Sequence, residues 1–223
     1  MIKTVLFDMN ETLLDLSVLK EKFGKHFEDK YVLNYWFAKL LHSSTVIGGM
    51  DEYTDFGKLS EAALESVFLE SGKELTDEIK TDILGSFRNL PAYDDVPAAL
   101  KLLRDNDIKV ISVTNSSYKM VKEQLIHSGL IDLFDSYYSV ESVQKYKPFK
   151  DIYHYVMNEE NIHADETVMV ATHDWDLFGA KKVGLVTAYI KRKEDQYNPY
   201  YLKPDMSNRN LVDLVGEIIK INQ

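Results

Sequence analysis

"TVLFDMNETLLD", residues 4–15, is the stretch on which the fold turns. Its first four residues are continuously apolar or β-branched, the pattern of a strand covered on both faces rather than one with a wet side. The run stops on Asp8. A charge at the end of a buried strand is costly unless something compensates it, so Asp8 reads as a cap, a metal ligand or a nucleophile. An amide follows two places on, at Asn10, and a second acid three places on, at Glu11.

Three more runs share this character: "KVISVTN" (109–115), "TVMVATH" (167–173) and "GLVTAYI" (184–190), with "SVESV" (139–143) as a further short strand. Between them lie helical patterns, "SSYKMVKEQLIHSGLIDLF" with Gly129 as its C-cap and "WDLFGAKKVG" closed by Gly184. Strand, helix and strand in alternation predict a parallel sheet with helical crossovers. Residues 15–92 differ. "LSVLKEKFG", "YVLNYWFAKLLHSS", "EYTDFGKLSEAALESVFLESG" and "TDEIKTDILGSF" are all helical, which predicts an all-α block inserted after the first strand. "NLPAYDDVP" (89–97) marks the return to the α/β part, so the core is expected at 1–14 and 93–223.

Ligands of an open parallel sheet bind beyond the carboxyl ends of its strands. The residues there are Asp8, Thr114 with Asn115, and His173 with Asp176, and Lys147 in "QKYKP" reaches the same rim. Acid, hydroxyl, amide, lysine and imidazole converge on one crevice.

Bulk properties narrow the partners. The 36 acids outweigh 26 bases for a net charge of −10, which argues against nucleic acid and anionic membranes. The basic cluster Lys191-Arg192-Lys193 is followed at once by Glu194 and Asp195 and reads as a solvated turn. Cysteine is absent, excluding disulfides, thiolate nucleophiles and zinc-thiolate sites. No apolar run has the length of a signal peptide or a membrane span, so a soluble cytoplasmic protein is expected.

Four segments together resemble the haloacid dehalogenase superfamily, and more narrowly its L-2-haloacid dehalogenases: "FDMNETLLD", "VTNSS", "KYKP" and "HDWDLFGA". Their order, spacing and helical insert match over nearly the whole chain. The resemblance implies a Rossmann-like parallel-sheet core with an inserted all-α cap. Phosphatases of the superfamily carry a second Asp two residues after the nucleophile, as a general acid, and this chain has Asn10 there. They also hold magnesium with an acid four residues ahead of the one matching Asp176, and that place is Thr172. Both departures suit a leaving group that needs no proton and a site that needs no metal, as a halide would. No cofactor is expected.

The implied mechanism is covalent. Asp8 attacks the halogen-bearing carbon of an L-2-haloacid, and water then hydrolyses the aspartyl ester to a 2-hydroxy acid. Lys147 would keep Asp8 ionised, since an opposite charge within about 4–6 Å lowers a carboxyl pKa by about 1–3 units, and Asp176 would hold Lys147. Thr114, with backbone amides near Met9 and Asn10, would take the substrate carboxylate, and Asn115 the departing halide. Where many such enzymes have Asn, this chain has His173, a better base with an ordinary pKa of about 6.5. Some similar enzymes pair a Glu of the first loop with a His of the last, and Glu11 would orient His173 in that way. Family members place an Arg after a Trp in the cap to bind halide. Here the pair is Trp36-Phe37, so the edges of Phe37 and Phe56 are the substitute candidates. Ala171 likewise stands where the family has Ser.

Trp175 and Tyr153 are expected to pack around the site, Thr12 to bond loop backbone, and His26, His42, His127, His154 and His163 to be structural. Similar dehalogenases pair through the cap, which implies a homodimer. The competing readings are a magnesium-dependent phosphatase of the same fold and a catalytically inactive binding protein.

Overall fold

A computed structural model describes residues 1–222. Strand β1 is Thr4–Phe7, every residue of it buried. Four helices follow directly: α1 (Ser17–Gly24), α2 (Val32–Gly49), α3 (Phe56–Glu70) and α4 (Asp77–Arg88). The chain then alternates through α5 (Val96–Arg104), β2 (Lys109–Thr114), α6 (Tyr118–His127), β3 (Ser136–Ser139), α7 (Lys150–Glu160), β4 (Thr167–Ala171), α8 (Asp174–Lys182), β5 (Val186–Ile190), β6 (Met206–Asn208) and α9 (Leu211–Lys220).

Among the described residues the sheet is six-stranded and wholly parallel, in the order β3-β2-β1-β4-β5-β6. The α/β class and the parallel sheet expected from the sequence are what the structure has. Strand β1 lies between β2 and β4, where the strand order reverses, and Phe7 is level with Ser112 on one side and Val170 on the other. Asp8 therefore leaves the sheet at the switch point between two strand ends, the usual place for a ligand.

The inserted helices bury an aromatic core. Trp36 packs on Phe23 (5.6 Å between ring centroids), Phe37 and Phe87, and its indole N–H donates to the Ser60 carbonyl at 3.0 Å. The two connections to the sheet run side by side: Asp15 N–H donates to the Pro91 carbonyl (2.8 Å) and Tyr93 N–H to that of Leu13 (3.0 Å). We take 15–92 as the bounds of the insert on this crossing.

Some details differ from expectation. The strand placed at 139–143 is instead β3 at 136–139, because the Ser139 hydroxyl caps Glu141 N–H and turns the chain into a 3-10 turn. Strand β6, three residues at the sheet edge, carries no apolar run and was not anticipated. Strands β1, β2 and β4 stop one or two residues short of their expected ends, and those residues form the crevice.

Candidate active site

Asp8 is the hub of the crevice. Its Oδ1 accepts from Lys147 Nζ at 2.7 Å, and its Oδ2 accepts from the Thr12 hydroxyl at 2.7 Å and faces His173 Nδ1 at 3.0 Å. Thr12 accepts in turn from Thr172 N–H (2.9 Å), which directs its own proton to Asp8. Thr12 bonds backbone as the sequence suggests, and its hydroxyl also holds the hub carboxylate. Burial raises the pKa of Asp8, but Lys147 and His173 outweigh it and hold the carboxyl well below the usual carboxylate range.

Lys147 is fully buried, with Nζ reaching Asp8, Asp176 Oδ2 (2.6 Å) and the Val113 carbonyl (2.9 Å). Desolvation disfavours its charge, and Asp176 and Asp8 more than restore it, so its pKa is raised. The loop carrying it is clamped from two sides. Its own N–H donates to Asn115 Oδ1 (2.9 Å), and the Pro148 carbonyl would lie 2.4 Å from a Cβ at Gly179, so α8 packs this closely only with glycine there. Tyr153 is expected to pack around the site, with its polar end free for substrate. Its hydroxyl is instead engaged behind the site, donating to Asp176 Oδ1 at 2.5 Å.

His173 precedes α8 and lies between two carboxylates, Asp8 at Nδ1 and Glu11 Oε2 at Nε2 (3.1 Å). Trp175 stacks on one side of the ring (5.0 Å, 26°) and Phe37 approaches at 6.1 Å. Burial works against its charge, but the bonds to Asp8 and Glu11 prevail and its pKa is pushed up to about 9. At neutral pH the imidazole is therefore an imidazolium in this arrangement, not the free base expected from its ordinary value.

Glu11 reaches His173 from a left-handed backbone (φ 62°), a conformation disfavoured for a residue with a Cβ. Its other oxygen, Oε1, accepts from Lys193 Nζ. Burial raises its pKa, and His173 and Lys193 lower it further than burial lifts it.

The cluster Lys191-Arg192-Lys193 is thus not a solvated turn. Arg192 is nearly buried, forks onto Asp95 (2.8 and 2.9 Å), donates to the Thr12 carbonyl (3.0 Å) and covers the Tyr93 ring. It lies two residues beyond the end of β5, where the rule that places function at strand ends would have singled it out. Along this edge runs a cleft of about 950 Å³, whose lining includes Glu11, Lys20, Tyr31, Tyr93, Arg192 and Lys193.

The remaining expected residues divide. Thr114 is buried and accepts from Ser116 N–H (3.1 Å), and the Asn115 side-chain N–H₂ is buried with no partner, a donor available to an anion. Met9 is buried at the loop, and the Asn10 side chain is turned toward α6, donating to Ser116 Oγ (3.2 Å) and accepting from Gln124 Nε2 (3.0 Å). Trp36 belongs to the core of the insert, with its one polar atom bonded to Ser60, and Phe56 packs on Tyr146. Asp174 is engaged by the N–H groups of Trp175 and Asn198, and among the described residues no three acids, histidines or cysteines are grouped to hold a metal ion.

A family model for haloacid dehalogenase-like hydrolases matches residues 2–184. The chain is 25% identical over 206 residues to the (S)-2-haloacid dehalogenase of Pseudomonas sp. (strain YL), covering 92% of this chain and 89% of that protein. It is 28% identical over 196 residues to (S)-2-haloacid dehalogenase 4A of Burkholderia cepacia, covering 86% and 84%. The structure of the L-2-haloacid dehalogenase from Xanthobacter autotrophicus with chloropropionic acid covalently bound superposes with a TM-score of 0.91 at 23% identity, covering 98% of both chains.

Proposed function

The chain belongs to the haloacid dehalogenase-like hydrolases, and within that family we propose that it hydrolyses short L-2-haloacids to 2-hydroxy acids through an ester on Asp8. One observation carries the reading: a buried carboxylate at the switch point, kept ionised by a buried lysine, with a histidine–glutamate pair on its second oxygen. The relatives named (S)-2-haloacid dehalogenase support the substrate class.

In the first step an oxygen of Asp8 displaces halide from the 2-carbon. Such a carboxylate is a weak nucleophile, made effective by being held close and dry. Thr114 and the backbone amides near Met9 and Asn10 take the substrate carboxylate. The unpartnered amide of Asn115 and the edge of Phe37 receive the halide in place of the missing arginine. Halide departs without a proton, so the turning away of Asn10 from Asp8 costs the reaction nothing.

Alkylation neutralises Asp8 and removes one of the two anions that keep His173 protonated. The Nδ1 proton is released, while Nε2–H remains bonded to Glu11. Nδ1 then takes a proton from water as that water adds to the Asp8 side-chain carbonyl carbon. Collapse expels the 2-hydroxy acid and restores both the carboxylate and the imidazolium, with one proton released per turnover. Base and supporting acid follow the logic of hydrolytic triads.

Turnover of (S)-2-chloropropionate in oxygen-18 water tests the scheme. The Asp8 peptide is expected to gain label over successive turnovers, with a rate indifferent to chelator. Label only in the product, or turnover confined to phosphate esters and abolished by EDTA, would overturn it.

A further inference from the structure

Glu11 has two oxygens and two partners of different kinds. Oε2 meets the imidazole that the proposed hydrolysis uses, and Oε1 meets an ammonium on a separate loop, beyond β5. A carboxylate on a left-handed residue of a short loop has no other fixed anchor on its side chain among the described residues. Building on the dehalogenase reading, we propose that Lys193 is a positioning residue for ester hydrolysis: it fixes Glu11 against His173 and sets how strongly Glu11 holds the imidazole proton.

Two features make this a device rather than an incidental surface pair. The Glu11 side chain is 9% exposed, so its charge is poorly screened by water, whereas the Lys193 side chain is 44% exposed on the cleft and can respond to solvent and to an entering anion. Lys193 also sits next to Arg192, whose fork on Asp95 and bond to the Thr12 carbonyl tie that loop to the loop carrying Asp8 and Glu11. The ammonium is therefore presented from a rigid neighbour and is not simply a long side chain finding any acid.

The charges around the imidazole give the sign. Asp8 and Glu11 face it directly, Lys147 stands behind Asp8, Lys193 stands behind Glu11, and Tyr93 is near enough for the charge of Glu11 to raise its phenol pKa. Asp174, next in the chain, has both oxygens bonded to backbone N–H groups. Removing Lys193 leaves Glu11 uncompensated, so it binds the His173 proton more tightly. Loss of the base form at neutral pH slows hydrolysis and leaves alkylation alone.

Lys193→Met and Lys193→Arg test this with (S)-2-chloropropionate. Rapid-quench halide release should give the same first-turnover rate in Lys193→Met as in the unaltered protein. Its kcat at pH 7.5 should fall several-fold, and the rise of kcat with pH should move upward by about half to one pH unit. Lys193→Arg should restore the profile, because the charge returns. A purely structural lysine would lower both steps together without moving the profile, and that outcome overturns the proposal. A second readout needs no turnover. Trp175 stacks on His173, and a protonated imidazole quenches indole emission, so fluorescence titrates His173 directly. An unchanged titration in Lys193→Met overturns the role of Lys193 even if the unaltered protein releases no halide, while absence of halide with a shifted titration counts against the substrate class alone.

Discussion

His173→Asn separates the electrostatic account of the site from a purely geometric one. The imidazole has an ordinary pKa of 6.5 and is pushed up to about 9 by Asp8 and Glu11 against the opposing effect of burial. A raised pKa means that the folded protein holds this proton more tightly than the unfolded chain. The resulting stabilisation is complete below pH 6.5 and is lost as pH rises through about 9. At about 1.4 kcal/mol per pH unit the stabilisation is about 3 kcal/mol. Neighbouring groups do not confuse the window, since Asp8 and Glu11 are held below their ordinary values and Lys147 and Tyr93 above theirs. Urea unfolding followed by circular dichroism, on the unaltered protein and on His173→Asn, gives the difference in stability between them. That difference should be about 3 kcal/mol larger at pH 6 than at pH 10. In parallel, Trp175 emission should rise through a step near pH 9 that the variant lacks, over a constant contribution from the fully buried Trp36. The variant should still release one equivalent of halide per site and then stall by about 10²-fold or more, the usual loss for a missing general base. A fluorescence step near pH 6.5, or a stability difference that does not change with pH, would refute the imidazolium and with it the timing of the base.

Lys147→Met orphans two buried carboxylates, Asp8 and Asp176, and should lower the unfolding free energy by about 3–5 kcal/mol. Adding Asp176→Asn should recover part of that loss, and urea midpoints equal to those of the unaltered protein would contradict the account. Asn10→Asp should not create a phosphatase, because that side chain is turned to Ser116 and Gln124. It should cost about 1–3 kcal/mol for the displaced buried bonds, and magnesium-dependent hydrolysis of p-nitrophenyl phosphate by the variant would disprove the assigned direction.

The sheet was legible because buried parallel strands are continuous apolar runs, and β1, β2, β4 and β5 are such runs. Edge strands lack that constraint, so β3 was displaced and β6 passed unseen. Asp8, Lys147, Asp176 and the Glu11–His173 pair were named from the family's motifs, and the structure brings these side chains into contact; position at or near strand ends alone pointed to Asp8, His173, Asp176 and Lys147, and gave no sign of Glu11. What stayed hidden were side-chain directions. Asn10, Tyr153 and Trp36 sit in the right segments, yet each turns its polar atoms to Gln124, Asp176 or Ser60. Arg192 and Lys193 were misread because their partners, Asp95 and Glu11, lie 97 and 182 residues away, while nearby Glu194 and Asp195 offered an easier explanation.

In the proposed mechanism, the contact between His173 and Asp8 would make the order of the two half-reactions a property of the site itself. A free base beside the nucleophile would have no reason to await the ester, whereas on this proposal the base is disabled by the same charge that would make Asp8 a nucleophile. Ionised Asp8 keeps the imidazole protonated, and only an alkylated Asp8 lets it go. The same oxygen pattern explains why three donors on Asp8, from Lys147, Thr12 and His173, do not defeat the first step. They lower its basicity, but they also exclude protonation and fix its direction, and a halide needs little basicity to be displaced from an oriented carbon. On the same proposal, Glu11 and Lys193 would determine how readily the proton leaves once Asp8 has been neutralised. On this reasoning the pH dependence of halide release and that of hydroxy-acid formation must differ, the first flat where Asp8 stays ionised and the second rising with deprotonation of His173. A single common profile for both would mean that His173 is only a support for Asp8.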